Sequence, residues 1–365
     1  MTSIKKISSY QLAVLLIASR LFSEAVNFPL KNTEYSMQRF GVIFIAYIIL
    51  FIQYIPLIIL SKKYSGEGPV GLLSDRSKVL AWIGGVIIAV SVLISALSAL
   101  CRLRFYASST IFGQAPPLLL IILPLLACGL ALYKGIQGTA RSGVIFTGVF
   151  IFFLALIGIS LVEKLDFKWL YPAFIEDGES FVSQVLEQIG SNSEILYFAA
   201  LMEHVEKKPQ STVFIYVPVV TVLLELMFML EMLVLGPFLE SVSFPFFTVS
   251  ALSNIVLFQR LDGIDVAVWT LMCIVKISLA LLSIRTVFAR LISEKAGQIA
   301  GFAGLVIVGA LAGFFGGSPS FTDMITKILT CGLPMILGGI IVPTAAIIAA
   351  AKKPKKKEEA VIENR

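Results

Sequence analysis

The chain has 365 residues, 58% of them hydrophobic and 14% charged, with a mean hydropathy of +0.92. Soluble domains carry about 25% charged residues, so the composition excludes a soluble globular protein and specifies an integral membrane protein. The net charge of +6 does not signal nucleic-acid binding. Its positive residues cluster at the ends of apolar segments and in a terminal run, where they encode topology.

Ten apolar segments follow in chain order, at approximately 9–30, 39–60, 79–101, 115–133, 142–162, 186–204, 211–236, 263–285, 298–316 and 330–351. They predict an all-α integral membrane protein with a single polytopic transmembrane domain over residues 1–351. Lys5 and Lys6 precede the first segment, which runs on as a spanning helix rather than ending at a small-residue cleavage site. With loops alternating sides, placing both termini in the cytoplasm puts 19 lysines and arginines inside and eight outside, Arg20 and Lys276 apart. The largest outer connection, 163–185, is acidic, with Glu163, Asp166, Glu176, Asp177 and Glu179 against Lys164 and Lys168. Residues 352–365 form a basic, disordered cytoplasmic tail whose lysines fix topology and touch anionic lipid.

The segments divide five and five, and the first of each half is interrupted. Segment one carries Ser19, Arg20, Ser23, Glu24 and Asn27 before Pro29, and segment six carries Gly190-Ser191-Asn192-Ser193-Glu194. Unpaired backbone groups are not tolerated in lipid, so such breaks belong inside the protein or along a cavity. Paired breaks at matching positions point to a transporter-type site at the bilayer midplane. The predicted architecture is therefore about ten transmembrane helices in a 5+5 inverted repeat with broken helices 1 and 6. The ligand-binding candidates are Ser19, Arg20, Ser23, Glu24 and Asn27 with Gly190, Ser191, Asn192, Ser193 and Glu194, and segments three and eight are expected to close the pocket.

Each candidate also has a plainer reading. Arg20 and Glu24 stand four residues apart and can neutralise each other on one helix face, and Glu194 can cap the following half-helix. Ser91, Ser95 and Ser98 form a small-residue stripe suited to close helix packing. His204, the one histidine in the sequence, falls at a helix end beside Glu203. Two charges stand out at depth. Glu225 lies within segment seven, and Lys276 lies near the middle of segment eight. An ammonium at the bilayer centre costs about 2.5–3.5 kcal/mol on insertion scales, so Lys276 needs a partner and marks a coupling site or a static salt bridge.

Enzymatic chemistry is not expected. The sequence has no P-loop, no zinc-type His/Glu motif and no nucleophile elbow. Cys101, Cys128, Cys273 and Cys331 lie far apart and read as packing residues. No metal or cofactor is expected.

The stretch Phe244-Pro245 … Phe258-Gln259-Arg260-Leu261-Asp262-Gly263 … Trp269 … Val275-Lys276-Ile277-Ser278 resembles the spore germination B-subunit family. So do the opening Ile7-Ser8-Ser9-Tyr10-Gln11-Leu12, the linker Tyr171-Pro172 with Gly178, and Glu194 at the break in segment six. The resemblance spans about residues 4–350 and implies the amino acid–polyamine–organocation superfamily fold. It implies a germinant-receptor subunit in the inner membrane of a spore. Such a subunit binds a small nutrient, an amino acid, and works with an A-type membrane subunit and a C-type lipoprotein. Family members break helix one at a glycine-containing stretch that receives the substrate carboxylate. Here residues 20–27 hold no glycine, and Arg20 is the expected substitute. In sodium-coupled relatives of this fold a cation sits between helices one and eight, so the resemblance suggests that the Lys276 ammonium replaces it, with Glu24 or exposed carbonyls as partners. The competing readings are a proton-coupled amino acid or organic cation permease, working through Glu24, Glu194 or Glu225, and a scaffold for partner subunits.

Overall fold

The computed structural model describes residues 6–26, 37–113, 116–171, 178–253 and 262–351. In chain order its helices are α1 (Ser9–Ala25), α2 (Gln38–Gln53), α3 (Ile55–Lys63), α4 (Pro69–Ser74), α5 (Lys78–Thr110), α6 (Pro117–Lys134), α7 (Ile136–Ser160) and α8 (Gly178–Gly190). There follow α9 (Glu194–Leu201), α10 (Ser211–Leu235), α11 (Pro245–Leu252), α12 (Asp262–Leu291), α13 (Glu294–Phe315) and α14 (Pro319–Thr330). The short α15 (Leu333–Met335) passes through a π-helical turn, Ile336–Ile341, into α16 (Val342–Ala351).

Seven helices among the described residues are long and apolar enough to cross a bilayer: Gln38–Lys63, Lys78–Thr110, Ile136–Ser160, Ser211–Ser241, Asp262–Leu291, Glu294–Phe315 and Leu333–Ala351. Leu118–Lys134 is a shorter apolar helix. Two predicted segments take a different form. The first is the 17-residue α1, which stays helical through Ser19, Arg20, Ser23 and Glu24. Its polar residues therefore do not unwind it, and Asn27 lies outside the described residues. The sixth is divided into α8 and α9, and its break falls at residues 191–193.

The helices are arranged around α12. In its most apolar window 78% of the residues are buried inside the protein, against 22% for α13. α12 is thus the central post and α13 a peripheral helix with one face left for lipid. α12 packs on α1, α5, α6, α7, α9 and α13. The serines and alanines of α5 (Ala89, Ser91, Ser95, Ala96, Ser98, Ala99) are buried, and small side chains let backbones approach closely where no hydrophobic driving force separates helix from lipid.

The beginning of α1 is tied to the chain that leaves α9. Ile7 N–H donates to the His204 carbonyl at 2.9 Å, and Glu206 N–H donates to the Ile7 carbonyl at 2.9 Å. The Ser9 hydroxyl adds a bond to the Lys207 carbonyl at 2.8 Å. His204 itself pairs Nε2 with the Thr286 hydroxyl at 3.0 Å, consistent with a structural post at a helix end. These contacts fix α1 against α9, and that placement builds the site below.

Candidate functional site

The break between α8 and α9 exposes peptide groups that a continuous helix would have satisfied internally; Arg20 takes over that task at the α8 end, and Lys276 bonds the side chains at the α9 end. At the α8 end, Arg20 on α1 donates through Nη1 to the Ser191 carbonyl and to Ser191 Oγ, both at 2.9 Å. Its Nη2 reaches the Gln188 carbonyl at 3.4 Å, and its Nε donates to the Tyr47 hydroxyl at 2.8 Å. The same guanidinium is ion-paired with Glu24 one turn along α1. Gln188 Nε2 donates in turn to Glu24 Oε1 at 3.2 Å. Arg20 is fully buried, and apart from the Arg20–Glu24 pair within α1 these bonds tie α1 to α2 or to the end of α8.

At the α9 end the charges are inverted. Glu194 opens α9, where the positive end of the helix dipole favours a carboxylate. Lys276 on α12 reaches it with Nζ to Oε1 at 3.0 Å. The ammonium also donates to Ser193 Oγ at 3.0 Å and to Ser19 Oγ at 3.2 Å, and it lies 5.6 Å from the centre of the Tyr197 ring. Ser19 donates to Glu194 Oε1 at 2.6 Å. Ser95 on α5 donates to Ser193 Oγ at 3.0 Å and pairs with the Tyr197 hydroxyl at 2.8 Å. Asn192, between them, donates to the Tyr216 hydroxyl at 3.0 Å. Lys276 and Glu194 are 4% and 0% exposed, respectively, so both charges are out of water and depend on each other. Glu194 Oε2 is buried without a hydrogen-bond partner among the described residues.

The Lys276 contacts differ from the sequence expectation. Glu24 is not its partner, because Glu24 lies four residues from Arg20 on α1 and is claimed by it. The ammonium instead meets the first carboxylate of α9. Arg20 likewise is not a free anchor for a ligand, since its donors are committed to the end of α8 and to Tyr47.

A narrow polar cleft, with about 20 Å³ of free space, runs beside this network. Arg20, Phe22, Ser23 and Glu24 of α1, Ser95, Ser98, Ala99 and Arg102 of α5, Ser191 and Ser193 of the break, Lys276 of α12, and Leu329 and Thr330 of α14 line it. Ser19 and Glu194 lie directly behind Lys276, bonded to it. Gly190 packs on the α14–α15 connection, where a Cβ would collide with the Thr330 carbonyl. Gly332 in that connection adopts a left-handed conformation (φ +74°), which glycine enters without steric cost.

Glu225 does not join the site. It is half-buried on α10, its Oε2 buried without a hydrogen-bond partner among the described residues, and it does not line the cleft. Conversely, sequence reading missed Arg102. The apolar run ends at Cys101, so Arg102 reads as an outer-loop charge. The helix instead continues to Thr110, with Leu103, Tyr106 and Ala107 buried on it. Ser95, Ser98 and Arg102 recur at the i, i+3, i+7 spacing of one helix face, a periodicity that extends across the apparent boundary.

A second buried network anchors the start of α12. Tyr106 donates to Asp265 Oδ2, and Trp269 Nε1 donates to Asp265 Oδ1 at 3.0 Å. Phe150 and Phe246 pack against the Trp269 ring. The Phe244-Pro245 and Asp262 … Trp269 motifs thus serve to hold α11, α5 and α12 together. Among the described residues no group of histidines, cysteines and carboxylates is placed to hold a metal ion.

The solved structures that this chain resembles include two transporters. A Na+-coupled sialic acid symporter in a substrate-bound, outward-open state aligns with a TM-score of 0.65, at 13% identity, covering 95% of this chain and 90% of that one. A manganese transporter from Eremococcus coleocola aligns with a TM-score of 0.54, at 10% identity, covering 99% and 87%. At such identities the likeness establishes the fold. No curated protein matches the sequence. The model of one family, described as spore germination protein, matches residues 6–314, and the chain belongs to that family.

Proposed function

We propose that the chain is the B-type membrane subunit of a spore germinant receptor. It binds a small nutrient, an amino acid, in the cleft beside the α8–α9 break and passes that event to an A-type membrane subunit and a C-type lipoprotein. It resides in the spore inner membrane with both termini cytoplasmic, and its helices form a 5+5 inverted repeat. The observation that carries this reading is the break itself. In a chain of the spore germination family, α1, α5, α9 and α12 converge on an interrupted helix beside a polar cleft. Binding there acts as a signal only if the ligand favours one of two arrangements of the bundle over the other. The Arg20 and Lys276 bonds supply a physical basis, since each joins a different helix to one side of the break.

Two experiments test the reading. Deleting the chain from spores abolishes germination to its nutrient, and a tagged copy isolated from spore membranes brings the A-type and C-type subunits with it. Normal germination together with isolation of the chain alone refutes the receptor. The second reading is a proton-coupled permease, favoured by the transporter fold and by the buried, half-satisfied Glu194 carboxylate. Amino acid uptake by proteoliposomes holding the chain alone, accelerated by an inward proton gradient, decides for it.

A further inference from the structure

We infer that the cleft takes its ligand by a carboxylate, and that Arg102 receives it. This inference rests on the proposed function and names the chemistry of its site. Three cationic side chains line the cleft, and two are already neutralised. Lys276 is paired with Glu194 at 3.0 Å, and Arg20 is ion-paired with Glu24 and bonded to the end of α8. Arg102 has no ion pair among the described residues. Its Nη1 reaches the Ser23 carbonyl at 3.4 Å, and its Nε and Nη2 reach the Thr326 hydroxyl at 3.4 and 3.2 Å.

All three contacts are long and go to neutral acceptors, whereas a guanidinium bonded to a carboxylate is held at about 2.7–2.9 Å in a bidentate fork. Ser23 and Thr326 therefore orient the Arg102 fork without satisfying it. Glu24, a nearby carboxylate, is committed to Arg20 and Gln188. Of the three cations on the cleft wall, Arg102 alone has no ion pair among the described residues, and Glu24 and Glu187 act on it only from beyond ion-pair distance. A ligand carboxylate supplies the missing negative charge. Ser98 lies one turn before Arg102 and lines the same wall, offering a hydroxyl to the carboxylate or to a polar group next to it. The glycine-free first helix is then no obstacle to carboxylate recognition, because α5 provides the anchor.

The test uses the purified full-length chain in lipid nanodiscs and follows its thermal unfolding. The probes are the twenty amino acids, acetate and propionate, and the α-amides of the same amino acids. The expected result is that stabilising amino acids lose their effect as amides. Arg102→Gln weakens the apparent affinity of those amino acids about tenfold to a hundredfold, the loss of one charged hydrogen-bonded anchor, and Arg102→Lys retains part of it. The inference is overturned if amides stabilise as well as acids, if no carboxylate stabilises the wild type, or if Arg102→Gln leaves the affinity unchanged. Should Arg102→Gln fail to fold, the acid–amide comparison on the wild type still decides. The combined Asn192→Ala and Ser193→Ala variant separates the two levels of the argument. If it loses binding while Arg102→Gln keeps it, the cleft stands and the carboxylate anchor falls. If both bind as the wild type does, the cleft itself is the wrong site.

Discussion

Removing one partner of the Lys276–Glu194 pair should destabilise the protein far more than removing both. At 3.0 Å and an effective dielectric constant of about 20, the attraction between two unit charges is about 5 kcal/mol. Desolvating each ion costs several kcal/mol, so a buried pair roughly balances, while a single stranded charge keeps its desolvation cost with nothing to offset it. Lys276→Met leaves Glu194 with Ser19 as its one remaining side-chain donor among the described residues, and Glu194→Gln leaves the ammonium with only neutral oxygens from Ser193, Ser19 and the amide. Each single substitution is expected to cost about 3–5 kcal/mol. The double variant should recover most of that and cost about 1–2 kcal/mol, so the coupling in a double-mutant cycle is about 5 kcal/mol or more. Reversible unfolding in mixed micelles measures all four proteins. Costs that add to within about 0.5 kcal/mol would refute the claim that the two charges hold α12 to the break.

Other substitutions test the surrounding frame. Arg20→Lys keeps the charge but loses the planar fork that bonds Tyr47 and Ser191 simultaneously. It should lower stability by about 1–3 kcal/mol, and unchanged unfolding would show that the α8 end does not need the fork. Gly190→Val drives side-chain atoms into the Thr330 carbonyl, with an overpacking cost of about 1–3 kcal/mol visible as a lower melting temperature. Wild-type stability would mean that the α14–α15 connection yields freely. Tyr106→Phe leaves Asp265 Oδ2 without its donor in a buried setting and should cost about 1–3 kcal/mol in the same assay, with no effect expected on ligand affinity. A changed affinity with unchanged stability would place Tyr106 in the binding machinery instead.

How much of this was legible in the sequence varies by residue. The break in segment six was readable because Gly190-Ser191-Asn192-Ser193 interrupts an apolar run with residues that lipid would not accept. Lys276 was readable for the same reason. Its partner was not: the sequence pointed to Glu24 or exposed carbonyls, and only the packing of α1 and α9 on α12 brings Glu194 to it. The polar residues of α1 suggested a break that the helix does not show through Ala25, because Arg20 and Glu24 neutralise each other and their remaining groups serve the end of α8. Arg102 was hidden by the assumption that a helix ends where its apolar run ends. In the protein the helix continues as long as one face stays buried, here by Leu103, Tyr106 and Ala107.

The measurement that tests the central claim most directly is a nutrient dose–response of spores in which the chain carries Asn192→Ala and Ser193→Ala together. These residues bond to Tyr216, Ser95 and Lys276 across the break. With the variant present at wild-type levels, the account predicts a shift of the half-maximal nutrient concentration by about tenfold or more, the equivalent of one or two lost hydrogen bonds. A curve superimposable on the wild type would contradict it.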